Sequence, residues 1–251
     1  MDTVLEARRL SKTYLTASRK HAAVRDVSIR IHESETVGLT GESGCGKSTI
    51  ARLLTLLLQP DSGSVLYRCK EVTGLHGRQL REFHTAVRMV FQNPSSSFDP
   101  RRTLGYSIAE SMCLLGLSKK ETTLRVQELL EQCGLERSLY SRYPHQASGG
   151  QLQRAQIARA LAPGPSLLIC DEATSALDVT TQKEILELLG WIQKGHRLSI
   201  LFISHDLGVL QSLCSTIHVM HKGEIVESGR ADDIIRSPQS EYTRNLIECC
   251  S

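Results

Sequence analysis

Gly41-Glu42-Ser43-Gly44-Cys45-Gly46-Lys47-Ser48-Thr49 is the stretch that decides the reading of this chain. It follows Thr36 to Leu39, a short β-type run, and leads into Ser48 to Leu58, whose apolar spacing predicts a helix halted by Gln59-Pro60-Asp61-Ser62-Gly63. Glycines let a backbone turn its N–H groups inward around an anion, and a following helix adds the positive end of its dipole. A strand, a loop of this composition and a helix, in that order, form a cradle for a polyphosphate. Lys47 is then placed for the β and γ phosphates, and the Ser48 hydroxyl for Mg²⁺.

Working outward, the N-terminal stretch reads as short strands, Val4 to Leu10 and Val27 to Ile31, ahead of the loop. From Leu104 to Leu139 the pattern turns helical, and Leu114, Leu117, Leu124, Leu129 and Leu130 are spaced for one-sided packing. Beyond it, Leu167 to Cys170 and Ile200 to Ile203 read as buried strands beside helices at Ile157 to Leu161 and Gln182 to Ile192. That alternation predicts an α/β core with a mostly parallel sheet. Ile217 to Glu227 reads as a hairpin turning at Lys222-Gly223, followed by a helix from Ala231 to Ile235.

Leu167-Leu168-Ile169-Cys170-Asp171-Glu172 is an apolar strand ending in two carboxylates. Adjacent carboxylates repel unless a cation lies between them, so Asp171 is expected to help hold Mg²⁺ and Glu172 to polarise the attacking water. Farther back, Ser148-Gly149-Gly150 could be flexible linker chemistry, yet Gln151 to Leu161 follows as a strong helix. The glycines therefore sit at a helix N-terminus suited to an anion.

Bulk properties narrow the classes. The chain has 251 residues, 40% of them hydrophobic and 23% charged, enough for one core with an inserted lobe and far from a disordered composition. A net charge of +3 without a long basic block argues against nucleic acid as the partner. No run reaches the roughly 18 apolar residues of a membrane helix, and the N-terminus lacks the apolar stretch of a signal peptide, so a cytosolic location is expected unless a partner holds the chain at a membrane. The eight cysteines form no C-x-x-C pair and read as free thiols, with Cys249 and Cys250 in a frayed tail. His21, His76, His84, His196, His218 and His221 show no paired ligand spacing and read as surface or structural.

Ala147-Ser148-Gly149-Gly150-Gln151 resembles the signature sequence of ABC ATPases, with Ala147 where that family usually has Leu. Gln92 after Val87 to Phe91, the loop Ser175-Ala176-Leu177-Asp178, and His205 after Ile200 to Ile203 are similar in order and spacing to the family's Q-loop, D-loop and switch histidine. The resemblance implies a P-loop NTPase core of the ABC type, with an N-terminal antiparallel β subdomain and an inserted helical subdomain. Residues 1–91 and 152–251 would form the nucleotide-binding core, and about 92–151 the Q-loop, lobe and signature.

It also implies the site. Glu172, His205, Lys47 and Gln92 are the expected catalytic residues. Tyr14 is expected to stack on adenine, and Gly41, Glu42, Ser43, Gly44, Cys45, Gly46, Lys47, Ser48 and Thr49, with Gln92 and Asp178, to bind nucleotide. Ser148, Gly149, Gly150 and Gln151 belong with them through a second subunit. Ser48, Gln92 and Asp171 are the expected metal positions, and ATP and Mg²⁺ the cofactors.

Val90-Phe91-Gln92-Asn93-Pro94-Ser95-Ser96-Ser97-Phe98-Asp99-Pro100-Arg101, with Tyr143-Pro144-His145-Gln146, is similar to importers of dipeptides, oligopeptides and nickel. The implied protein is a motor subunit at the cytoplasmic face of the membrane. Its implied partners are a second ATP-binding subunit (the same or a related chain), two permeases and an extracytoplasmic solute-binding protein. The short C-terminus, where Ser240-Glu241-Tyr242-Thr243-Arg244 is similar to a Pro-Tyr-Thr motif, leans towards nickel or a metal chelate, with peptides close behind. A non-transport ABC ATPase acting on nucleic acid is the alternative.

Overall fold

The computed structural model describes residues 2–15, 20–175 and 177–250. Strands β1 (Thr3–Leu15) and β2 (Lys20–His32), with β4 (Ser62–Tyr67) and β5 (Lys70–Glu71), form an antiparallel sheet in the order β2-β1-β4-β5. β1 and β2 run past the expected ends at Leu10 and Val27, because Arg9 and Asp26 take positive φ (51° and 50°) and bend the ribbon at register shifts without ending it. The bend carries β1 on to Tyr14, which pairs with His21.

The second sheet has the order β10-β9-β3-β8-β7-β6, formed from β3 (Thr36–Thr40), β6 (Val87–Val90), β7 (Leu167–Asp171), β8 (Ser199–Ile203), β9 (Thr216–His221) and β10 (Glu224–Arg230). β9, β3, β8, β7 and β6 run parallel, and β10 returns antiparallel through the tight turn at Lys222-Gly223. All five residues of β3, of β7 and of β8 are buried, as expected of parallel strands covered on both faces. Cys170 is completely buried and acts as a small hydrophobe, and the described cysteines are free thiols.

The helices are α1 (Lys47–Leu54), α2 (Gly77–Ala86), α3 (Leu104–Glu110), α4 (Lys119–Gln132), α5 (Gly149–Leu161), α6 (Val179–His196), α7 (Leu207–Leu213), α8 (Ala231–Arg236) and α9 (Glu241–Cys250). Two apolar clusters flank the parallel sheet. One joins it to α1 and the antiparallel sheet, the other to α3, α4, α5 and α6. The lobe expected between Leu104 and Leu139 is formed by α3, α4 and the 3₁₀ turns Cys113–Leu115 and Arg137–Ser141.

Two sequence expectations need correction. α1 stops at Leu54 and not Leu58: Leu56 enters the left-handed region (φ 55°), and the Leu58 N–H donates to the Arg52 carbonyl at 3.1 Å, closing the helix end. In the lobe, Leu129 and Leu130 are buried but Leu114, Leu117 and Leu124 are 51%, 40% and 51% exposed. The 3₁₀ turn and the left-handed Gly116 (φ 68°) break the helical phase between Leu114, Leu117 and α4, and within α4 Leu124 stands about 140° around the axis from Leu129, so these leucines do not share one face.

Candidate functional site

Four neighbouring parallel strands send their carboxyl ends to the same edge of the sheet, where ligands of open α/β sheets bind. β3 opens into Gly41 to Gly46, β8 into Ser204-His205, β7 into Glu172, and β6 into Phe91-Gln92. Residues separated by up to 164 positions are thereby brought to one edge by backbone topology alone.

The loop after β3 wraps the head of Lys47, which is 5% exposed. Its Nζ donates to the carbonyls of Gly41 (2.7 Å) and Glu42 (2.9 Å). Gly41 and Gly46 have φ of 143° and 116°, and a Cβ would lie 2.1 Å from the Met220 carbonyl oxygen at the first and 2.2 Å from that of Ala23 at the second. Only glycine fits where the loop is pressed against β9 and β2. The turn between β9 and β10 joins this backing, since the Gly223 N–H donates to the Cys45 carbonyl at 3.0 Å. Burial pushes the Cys45 thiol above its ordinary value, partly opposed by Lys47. Ser43 and Gly44 face outward at the loop tip, where a Cβ on Gly44 would meet nothing.

Ser48, in the first turn of α1, donates its hydroxyl proton to Asp171 Oδ1 at 3.1 Å. Burial raises the Asp171 carboxyl above its usual range, a shift opposed by the Ser48 bond and reinforced by Glu172. Glu172 has left the strand with φ 48°, which turns it from the core towards the sheet edge. Gln92 Nε2 donates to Glu172 Oε2 at 2.8 Å. Ser175 Oγ donates to the Glu172 carbonyl at 3.0 Å and lies 3.4 Å from the same Gln92 nitrogen. A hydroxyl beside a buried carboxylate, with a second carboxylate adjacent, is an oxygen donor set that fits Mg²⁺, whose charge would offset both the burial and the repulsion.

Tyr14 is half-buried at the end of the bent β1, its hydroxyl 3.4 Å from Thr49 Oγ1, so it stands beside the first turn of α1. Its ring stands beside the helix end of the loop. His205 is exposed between β8 and Asp206, and among the described residues no hydrogen bond joins it to the rest of the site.

Ser148, Gly149, Gly150 and Gln151 stand apart from this cluster. Ser148 caps α5 in a reciprocal box with Gln151: the Gln151 N–H donates to Ser148 Oγ at 3.2 Å and the Ser148 N–H to Gln151 Oε1 at 3.0 Å. A Cβ on Gly150 would lie 2.9 Å from Thr181 Cγ2, so the cap packs against the start of α6. There Asp178 accepts from the Thr181 N–H (2.9 Å) and hydroxyl (2.8 Å), which holds its carboxyl below the usual range. Asp178 is thus a helix cap within its own chain; Ala176, before it, lies outside the described residues. All these groups are bonded locally, and none reaches the loop after β3 by a hydrogen bond among the described residues.

Sequence reasoning missed the support behind the loop. Tyr242 in α9 accepts a hydrogen bond from the Glu42 N–H at 3.1 Å, across 200 positions of chain. Its one sequence signal was the Ser240-to-Arg244 motif, read only as a marker of branch. Also unforeseen is a cleft of about 200 Å³ beside Gln92, lined by His84, Arg88, Met89, Phe91, Gln156 and Arg159 among others.

Comparison with known proteins identifies the family. The family description "ABC transporter" fits residues 24–175. The di/tripeptide transport ATP-binding protein DppF of Pseudomonas aeruginosa is 42% identical over 98% of this chain and 79% of its own. The oligopeptide transport ATP-binding protein OppF of Bacillus subtilis is 42% identical over 98% of this chain and 82% of its own. A methionine import ATP-binding protein, MetN 3 of Oceanobacillus iheyensis, is also 42% identical, over 97% of this chain and 71% of its own. Among solved structures, the ATP-binding cassette MJ0796, a dimer in a post-hydrolysis state bound to ADP and Pi, superposes with a TM-score of 0.83 at 28% identity, covering 90% of this chain and 98% of that one. The chain therefore belongs to the ABC transporter family, as an ATP-hydrolysing subunit.

Proposed function

We propose that this chain drives the uptake of small peptides as one of two ATP-binding subunits beneath a pair of permeases. Lys47 and the N–H groups from Gly41 to Thr49 bind the phosphates, and Tyr14 packs on the adenine. Ser48 and Asp171, with Gln92 nearby, hold Mg²⁺, which when bound screens the phosphate charge. Glu172 accepts the proton of the attacking water, and His205 senses the γ phosphate. The cap formed by Ser148, Gly149, Gly150 and Gln151 lies outside this cluster, which supports the reading that it completes the site of a second subunit. Asp178 lines the same boundary.

The observation that carries this reading is the bond from Gln92 to Glu172. The proposed base is held by the residue that begins the lobe-bearing segment 92–151, so a change in the lobe moves the base. The cleft next to Gln92 is where a membrane subunit would press. Arg88, whose charge is disfavoured by burial and by nearby Arg159, lies in it, and an acidic or carbonyl-rich loop of a permease would relieve both. Among the described residues no helix is long and apolar enough to cross a membrane, so the chain's place at the cytoplasmic face depends on that docking.

Peptides are proposed as the cargo because two of the three relatives named above are di/tripeptide and oligopeptide transport proteins that match over 98% of this chain, the third being a methionine importer subunit. Nickel is the lesser reading, because none of the relatives named above is a nickel transport protein. Among the described residues no cluster of three His, Cys, Asp or Glu could hold a metal ion, and cargo is chosen by the solute-binding protein in any case.

The test is Glu172→Gln in the full-length chain. Nucleotide affinity should stay within about twofold and turnover should fall by about 100-fold or more, the usual worth of a positioned base. Size-exclusion chromatography with ATP should show a persistent dimer. Hydrolysis at the parental rate would remove Glu172 from its role.

A further inference from the structure

We propose that Tyr242 is a positioning residue for ATP binding, acting through the peptide plane between Gly41 and Glu42. This rests on the reading of the loop after β3 as the phosphate cradle.

That peptide is gripped at both ends. Its carbonyl, on Gly41, accepts from Lys47 Nζ at 2.7 Å, and its N–H, on Glu42, donates to Tyr242 Oη at 3.1 Å. In a trans peptide the C=O and N–H point in opposite directions, so holding both fixes the rotation of the plane. The need for such control is local: Gly41, with φ 143°, is a residue whose own sterics restrain the plane least.

The two grips differ in permanence. Lys47 is the group expected to turn to the phosphates when nucleotide binds, and the Gly41 carbonyl then loses its partner. Tyr242 is outside the cradle and has no reason to leave. It is therefore the restraint that persists when the loop must keep its N–H groups aimed at the ligand.

The structure holds Tyr242 firmly enough for this task. Its ring lies on His221, centroids 3.9 Å apart, at the end of β9. The turn into α9 is tied down by Glu227, whose carboxylate accepts from the N–H groups of Gln239 (2.8 Å) and Ser240 (3.0 Å). Burial raises the Tyr242 hydroxyl above its ordinary value, so it stays a neutral phenol at working pH. The C-terminal helix thus braces the nucleotide loop from behind, together with the turn at Gly223.

The test compares the parental full-length chain with Tyr242→Phe, which keeps the ring on His221 and removes only the hydroxyl. Affinity for a fluorescent ATP analogue should fall about three- to tenfold, the range of one hydrogen bond. KM for ATP should rise with it while kcat stays within about twofold, and amide exchange over residues 41–44 should quicken. Tyr242→Ala should weaken affinity at least as much and also lower the melting temperature. If Tyr242→Phe matches the parent in affinity and in loop exchange, the positioning role is wrong. Lys47→Ala separates the two readings: should it bind ATP as the parent does, the cradle itself is misassigned, whatever Tyr242 does.

Discussion

At the scale of single residues, His218 shows how a side chain with no part in the chemistry still sets a working range. It lies in β9 next to β3, 9% exposed, with Nδ1 2.7 Å from Ser228 Oγ and Nε2 without a hydrogen-bond partner among the described residues. Burial lowers its pKa from 6.5 to about 4, with Glu35 opposing. Between those two values the unfolded chain binds a proton that the folded chain refuses, so stability is complete above pH 6.5 and falls as the pH drops towards 4. At the lower end the loss approaches about 3 kcal/mol. Urea unfolding midpoints at pH 7 and pH 5 should therefore differ in the parent, and His218→Asn should reduce the difference.

Residue chemistry was also the most legible level in the sequence. Gly41 to Thr49, Asp171-Glu172 and Ser148 to Gln151 declare themselves because phosphate and cation sites need particular residue types at short, fixed spacing. Tyr242 did not, since nothing local distinguishes a tyrosine bonded to a loop 200 positions away from one filling a core.

Among the elements, α1 carries the most function per residue. Its start is decided by Gly46, whose φ of 116° no other residue adopts at ease and whose missing side chain leaves room for the Ala23 carbonyl and Met220 Cε. Gly46→Ala places a methyl 2.2 Å from that carbonyl oxygen, so either β2 or the loop must shift. We expect a loss of about 2 kcal/mol or more in folding stability and a greater loss in nucleotide affinity, measured by chemical unfolding and by titration. A variant with parental values for both would show that the loop relaxes freely. The end of α1 was misread because Leu57 and Leu58 keep the apolar rhythm past the left-handed Leu56, a conformation that leucine composition does not signal. The exposed Leu114 and Leu117 were misread for a related reason: periodicity presumes one unbroken helix, and Gly116 breaks it, whereas Leu124 lies on the opposite side of α4 from the buried Leu129 and Leu130.

In the whole molecule, the sheet order explains why motif order sufficed to recognise the architecture. Parallel strands linked by crossovers all emit their functional loops at one edge, so any chain with these motifs in sequence brings them together. What sequence order could not convey is which loops touch. The bond from Gln92 to Glu172 joins the outermost β6 to its neighbour β7, and the brace from α9 to the loop after β3 crosses between the two ends of the chain.

The sheet that gathers these strand ends also governs when the site comes into being. β3 gains its neighbours only from β8 and β9, which lie far later in the chain, so the loop it carries has no finished wall while the ribosome is still at work. A nascent chain halted after Asp171 should not retain labelled ATP, whereas the released, full-length product should. Retention by the halted chain would mean the early strands alone make a competent cradle. The expected consequence is a motor silent during its own manufacture, whose unfinished copies spend none of the cell's ATP.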